Sequence, residues 1–213
     1  MQKTVQKTNT TKAIFSNIYR ANLWENHESV SGIGSTIKNT KMTRQELPAV
    51  INKYNIRSLL DMPCGDFNWM KKTRLDIDMY IVGDIVPEII TENKNRYNSK
   101  NIKFIILDMI KDNLPKADLI LCRDCLIHFS FKDIVSTMRN FKKSGSKYLL
   151  TTTFTERSEN RDIVTGGWHT INLEMPPFSF PRLLKLINEK CREKNSRYSD
   201  KSLGLYRLKD ITL

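Results

Sequence analysis

Three aspartates stand at the ends of three short apolar runs. Asp61 closes "RSLLD", Asp84 closes "MYIVGD" and Asp108 closes "IKFIILD". After the first run the chain reads Met62-Pro63-Cys64-Gly65-Asp66, a turn with one glycine and a further acid. A strand followed by a glycine turn often cradles a nucleotide, but phosphate cradles use several glycines and the N–H groups of a helix start. Carboxylates at that place would repel phosphate; they suit hydroxyls, amines and cations. One acid at a strand end is an ordinary helix cap. Three at successive parallel strands would line one crevice beyond the carboxyl ends of the sheet. The chemistry on offer is recognition of an unphosphorylated ligand that carries a diol and a positive charge.

A second group follows the fourth apolar run, in "CRDCLIHFSFKD", residues 122–133. Arg123, Asp124 and His128 fall near the same edge. His128 is a candidate general base, since an imidazole titrates near neutrality; the alternative is a packing or capping histidine. Arg123 either binds an anionic acceptor or pairs with a strand-end acid. Cys122, Cys125 and His128 are spaced i, i+3, i+6, which can be read as metal ligation. The first of them still belongs to the strand, so the spacing does not put all three on one face. The expectation is buried thiols and no metal.

These residues need elements to position them. Apolar runs at 57–61, 79–84, 102–108, 117–123 and 147–154 alternate with helical or irregular segments. That order predicts an α/β fold with a doubly wound, mostly parallel sheet. Helical spacing is expected over 10–23, over 41–54 (Met42, Leu47, Val50, Ile51, Tyr54) and over 180–193. Runs near 197–199 and 203–208 are expected to form an antiparallel pair at the sheet edge. Two irregular segments remain. "WENHESVSGIGST", 24–36, is a Ser/Gly-rich candidate cover with Trp24, Ser31 and Ser35. "TTTFTERSENRDIVTGGWHTINLEMPPFSFP", 151–181, is a long insertion with Arg157, Asn160, Asp162, Trp168, His169 and Asn172. Long ordered loops at a ligand edge usually serve function. Trp24 and Trp168 are candidates to stack on an acceptor or simply to pack the loops down.

The 213 residues suffice for one sizeable domain. Residues 1–40 are expected to form an N-terminal helix and cover loop, and 41–213 the main domain. Hydrophobic content of 39% and aromatic content of 9% indicate a globular chain. No apolar run nears the roughly 20 residues that span a bilayer, and "MQKTVQKTNTTKAIF" has no apolar signal core. The expectation is a cytosolic protein, with Cys64, Cys122, Cys125 and Cys191 as free thiols. The net charge of +12 admits a polyanionic partner such as RNA. The lysines are scattered, however, in stretches such as "NKNRYNSKNIK" and "NEKCREKNSR" that read as solvated loops and helix ends. Nucleic acid is therefore not the expected partner, and the oligomeric state is left open.

S-Adenosylmethionine (SAM) has a ribose diol, an ammonium group and no phosphate. On its motifs the chain resembles the class I SAM-dependent methyltransferases over about residues 40–155. "LLDMPCGD" is similar to their first motif, "YIVGDIV" to the second-strand motif whose acid takes the ribose hydroxyls, and "FIILDMI" to the third, where an acid and the next amide meet adenine. "LPKADLILCRDCLIHF" is similar to the fourth-strand region that faces the acceptor. The signatures "SVSGxGS", "LDxPCGDFNWM", "CRDxLxHxS" and "NLxxPPF" resemble those of a bacterial subgroup linked to surface-polysaccharide (capsule) biosynthesis. The usual GxGxG is here reduced to Pro63-Cys64-Gly65, which shifts weight from a glycine loop to side chains.

The resemblance implies a Rossmann-like seven-stranded sheet with an antiparallel edge strand. It implies cofactor contacts from Asp61, Pro63, Cys64, Gly65, Asp66, Trp69, Asp84, Ile85, Asp108, Met109 and Arg123. His128, Arg123 and Asp124 would be catalytic, and Trp24, Ser31, Ser35, Asn160, Trp168, His169 and Asn172 would face a small polar acceptor. The expected reaction is O-methylation of a sugar, nucleotide sugar or related precursor, with S-adenosylhomocysteine (SAH) as product. An RNA methyltransferase and a non-catalytic basic RNA-binding module on the same fold are the alternatives. A NAD-dependent dehydrogenase fits less well, because its pyrophosphate needs the glycine-rich helix start. "NLEMPPF" is also similar to the Asn-Pro-Pro-aromatic motif of amino-methylating enzymes, but it follows the fifth run rather than the fourth.

Overall fold

The structure, a computed structural model, describes residues 10–213. Seven strands form one sheet: β1 (Ser58–Asp61), β2 (Met79–Asp84), β3 (Ile102–Ile106), β4 (Leu119–Cys122), β5 (Tyr148–Phe154), β6 (Lys185–Asn188) and β7 (Lys201–Arg207). Their order is β3-β2-β1-β4-β5-β7-β6. The pairs from β3 through β5 are parallel, and β7 runs antiparallel to both β5 and β6. The strand order reverses between β1 and β4, and the crevice at that switch point is where ligands bind in open α/β sheets.

The central strands read as unbroken apolar runs because both faces are covered. Side chains alternate between faces, so neighbours in sequence enter different cores. Leu60, Ile120 and Leu149 pack with Ile134, Met138 and Phe141 of α4 (Phe131–Lys143). Leu59, Leu121 and Leu150 pack with Leu47, Val50 and Ile51 of α2 (Lys41–Lys53) and Ile89 and Ile90 of α3 (Pro87–Tyr97). Ser130 caps α4 by accepting from the Asp133 amide at 3.2 Å, and Pro87 opens α3 where its missing N–H costs no hydrogen bond. A first helix, α1 (Thr11–Arg20), lies on α3 through Tyr19–Glu92 (2.8 Å) and Arg20–Glu88 (2.5 Å) contacts. Residues 1–9 of the expected N-terminal segment lie outside the described residues.

One expected element is corrected. Residues 180–193 do not form a helix; they contain β6, in which Ile187 pairs with Leu203. The apolar positions Leu183, Leu184, Leu186 and Ile187 fit helical spacing, but only Ile187 is buried, and pairing with β7 overrides that weak periodicity. Residues 197–199 are correspondingly a turn, and the antiparallel edge pair is β6–β7.

Candidate active site

The carboxyl ends of β1 to β4 open into one cleft, about 1000 Å³ including its mouth. Asp61, Asp84 and Asp108 all line it. Asp61 is 3% exposed and accepts from the Tyr80 hydroxyl at 2.7 Å. Burial pushes its carboxyl up to about 7, helped by the nearby charge of Asp84 and opposed by the Tyr80 bond. Asp84 accepts from the Gly65 amide at 3.1 Å and the Val86 amide at 3.0 Å, and burial raises it to about 6 despite these bonds. Asp108 lies just beyond β3, where its Oδ1 accepts from the Ile110 amide at 2.9 Å. Pro63, Cys64, Ile85 and Met109 complete this wall.

Gly65 has a left-handed backbone (φ 54°), and a Cβ there would stand 2.2 Å from Ser31 Oγ. The closest neighbour of the missing side chain is therefore the cover loop, not open cleft. Asp66 also lines the cleft, yet its oxygens hold that loop. Oδ1 accepts from Ser29 Oγ (3.0 Å) and the Asn68 amide (3.2 Å), and Oδ2 accepts from the Val30 amide (3.0 Å). In return the Asp66 amide donates to Ser31 Oγ at 3.1 Å. Trp24, Ser31 and Ser35 reach the cleft from this loop.

Arg123 and Asp124 leave β4 into a buried set of four alternating charges. Arg123 donates to Glu189 (2.7 Å), pairs with Asp124 (3.1 Å) and donates to the Gly34 carbonyl (2.8 Å). Lys201 bridges Asp124 (2.7 Å) and Glu189 (3.3 Å), and Thr43 donates to Glu189 at 2.7 Å. Burial alone would lower Arg123 and Lys201, but the two carboxylates raise both. Burial would raise Asp124, but Arg123 and Lys201 hold it well below the usual carboxylate range. The Arg123 guanidinium lies over the Trp69 ring, 5.6 Å from its centroid. Arg123 thus pairs with Asp124 and Glu189 rather than with a strand-end acid.

His128 ends a 3-10 turn (Leu126–His128) and lines the cleft. Its Nδ1 is 2.7 Å from the Gly167 carbonyl. A carbonyl only accepts, so this geometry assigns the proton to Nδ1 and leaves Nε2 as the bare nitrogen of the neutral ring. Burial pulls the imidazole below its ordinary value, opposed by the Gly167 bond and by Asp124. The Trp24 ring packs 5.3 Å away.

The long insertion contributes differently. None of Asn160, Trp168, His169 and Asn172 lines the cleft. Asn160 donates to the carbonyls of Asn172 (2.9 Å) and Pro176 (2.8 Å) and accepts from the Asn172 amide (2.8 Å). Asn172 donates to the Arg157 carbonyl at 2.8 Å. His169 stacks on Phe131 with Nδ1 on the Arg161 carbonyl at 2.6 Å. Trp168, 45% exposed, packs edge-on against Tyr198 and Phe154.

Other lining residues escaped the sequence reading. Phe15 and Tyr19 of α1 reach the cleft, and the only sequence sign was an amphipathic helix of unknown placement. Glu189, just past β6, and Lys201, at the start of β7, lie beneath Arg123 and gave no sign, because a lone charge at a strand end reads as solvated. Cys125 is buried with Sγ 3.6 Å from Met109 Sδ. Among the described residues no three His, Cys, Asp or Glu side chains are grouped to hold a metal ion, and no helix is long and apolar enough to cross a membrane.

No family model matches the chain, and no curated protein matches it by sequence. Solved structures do match. The N-methyltransferase NodS from Bradyrhizobium japonicum, in complex with SAH, aligns at TM-score 0.63 and 14% identity, over 90% of this chain and 98% of that one. A SAM-dependent methyltransferase from Leishmania major aligns at TM-score 0.63 and 14% identity, over 91% and 82%. Human N-acetylserotonin methyltransferase with SAM aligns at TM-score 0.58 and 16% identity, over 93% of this chain and 59% of that one. A bacterial Hen1 methyltransferase domain, of which the chain spans 66%, aligns at a TM-score of only 0.48. At these identities the likeness is one of architecture: the chain has the Rossmann-like fold of the class I SAM-dependent methyltransferases, with the order β3-β2-β1-β4-β5-β7-β6.

Proposed function

We propose that the protein is a SAM-dependent methyltransferase that O-methylates a small polar acceptor: a sugar, a nucleotide sugar or a related surface-polysaccharide precursor. The observation that carries the reading is the meeting of Asp61, Asp84 and Asp108 in one cleft at the switch point of the sheet. SAM supplies an electrophilic methyl on a sulfonium. Asp84 takes the ribose hydroxyls, Asp108 with the Met109 amide takes the adenine, and Asp61 and Asp66 favour the positively charged methionine end. The surplus of carboxylates fits a cationic, unphosphorylated adenosine compound and disfavours a dinucleotide. His128 takes the acceptor's proton on Nε2, since the Gly167 carbonyl occupies Nδ1. The sugar acceptor is supported by the "SVSGIGS", "CRDCLIHFS" and "NLEMPPF" signatures.

Calorimetric titration with SAH tests the reading. Wild type binds, and Asp84→Ala weakens binding by about 1.5–3 kcal/mol, the range for a hydrogen bond to a charged group. Unchanged affinity sinks the assignment of Asp84. Methyl transfer from labelled SAM is then assayed on nucleotide sugars and on RNA; label in RNA alone would exchange the acceptor class.

A further inference from the structure

Behind Arg123 lies a second cavity, of about 970 Å³ including its mouth. Its floor is the buried Arg123, Glu189 and Lys201, whose charges are already balanced within their set. Its rim carries Lys38, Lys41, Lys190 and Arg192 against one carboxylate, Glu193. None of the four rim cations has an ion-pair partner among the described residues. Elsewhere Lys147 pairs with Asp118 and Lys185 with Glu46. Four unpaired cations around one hollow repel each other, and an anion between them relieves that repulsion. Arg123 lines both this cavity and the acidic cleft, so the two hollows are neighbours.

We propose that this cavity binds the phosphate or pyrophosphate of the methyl acceptor. The acceptor is then a phosphorylated or nucleotide-activated sugar, with its anion among the rim cations and its reacting hydroxyl toward the cleft. The inference rests on the methyltransferase reading and adds to it the acceptor's charge. The acids that suit SAM explain the separation, because three carboxylates leave the cleft unfit for phosphate. The neutral floor supplies rigidity, and the rim supplies the attraction.

The test is calorimetric titration of the full chain with inorganic pyrophosphate, at low and at physiological salt, with SAH titrated in parallel. Pyrophosphate should bind saturably and more weakly as salt rises. The double variant Lys190→Ala/Arg192→Ala should weaken it about tenfold or more. The charge-conserving Lys190→Arg/Arg192→Lys should keep most of the affinity. Both side chains are exposed, so the fold should survive, and SAH affinity should not change. Absent pyrophosphate binding, or binding that the double variant leaves intact, overturns the proposal even where SAH binds. Pyrophosphate binding without SAH binding overturns the methyltransferase reading and leaves the anion site standing. A short single-stranded RNA that binds more tightly than pyrophosphate, and loses affinity in the same variant, overturns the assignment to a small molecule.

Discussion

The loop 24–36 and the segment 155–178 of the insertion both reach the carboxyl edge of the sheet, and they are held there by different partners. The first loop reaches outward. Ser29 and Val30 donate to Asp66, Gly34 accepts from Arg123, and Ser35 accepts from Asn68. The insertion satisfies much of its own backbone through Asn160 and Asn172 and is tied to the body of the fold: Thr165 and Asp162 accept from the Ser130 and Phe131 amides, and Arg157 pairs with Asp200. It meets the cleft wall through the Gly167 carbonyl on His128. Buried backbone groups must find partners, and the choice of partner decides what a loop's order depends on. A loop ordered by the Gly65–Asp66 turn loosens or tightens with that turn; a loop ordered by itself and by the helix and strand beneath it serves as a fixed wall. Under the proposed function the first loop is a ligand-coupled cover, and the insertion is scaffold.

The largest effect should fall where the scaffold touches the chemistry. A sugar hydroxyl has a pKa far above neutrality, so its proton must leave as the C–O bond forms, and general bases contribute about 10²–10⁴-fold. His128→Ala should lower turnover by that order with SAH affinity nearly unchanged. His128→Gln should not rescue it, since an amide positions a hydroxyl but takes no proton. Because burial pulls His128 below its ordinary value, the base form persists to lower pH, and the rising limb of turnover should lie below pH 6.5. Normal turnover in His128→Ala would leave the insertion without any hold on catalysis. His169, half of whose ring is tied to the Arg161 carbonyl, is the control: His169→Ala should cost stability and spare turnover.

A smaller effect separates the two loops directly. Ser29 is buried, accepts from the Ser31 amide and donates to Asp66 without lining the cleft. Ser29→Ala should loosen the cover and weaken SAH by about three- to tenfold, with little loss of global stability, as one or two hydrogen bonds allow. Asn160→Ala should do the reverse. It strands several backbone groups of the insertion and should cost about 1–3 kcal/mol in denaturant unfolding, with SAH affinity intact. Equal profiles in the two variants would erase the distinction between cover and scaffold.

The sequence made the sheet legible from β1 to β5, because β1, β2, β4 and β5 are buried, mainly apolar runs and β3, though at an edge, is mostly β-branched and aromatic. The three acids were legible for the same reason, since a charge at the end of an apolar run has one place to go. β6 was not, because its four residues bury only Ile187 and the apolar spacing around it imitates a helix. The insertion residues were misplaced by analogy of type. Trp168, His169, Asn160 and Asn172 are residues that contact sugars, but the same hydrogen-bonding capacity satisfies a long loop's backbone, and here it does. Glu189 and Lys201 were invisible because burial of a charge depends on a distant partner, Arg123, which no local pattern reveals.

The smallest effect concerns the acids on which the cover depends. Asp84 accepts from the Gly65 amide, and Gly65 seats against Ser31, so the ionisation of Asp84 reaches the loop as well as the ligand. Burial raises Asp61 to about 7 and Asp84 to about 6, from 3.8. A carboxyl with a raised folded pKa stabilises the fold in its protonated form. That contribution is whole below the unfolded value and is lost as pH rises through 6 and then 7. Ligand-free protein should therefore lose stability from these two groups between acid and neutral pH. Bound ligand reverses the preference, because hydroxyl donors and an ammonium favour the ionised acids. SAH should bind more tightly as pH rises; Asp84 alone, held ionised in the complex, gives about fourfold between roughly pH 5.5 and 8. Titrations in buffers of different ionisation enthalpy should show proton release near pH 6 that fades by about pH 8. In Asp84→Asn the Asp84 share of that release should vanish. Proton uptake, or release unchanged in Asp84→Asn, would place the ligand's hydroxyls elsewhere and detach the cover from the acid edge.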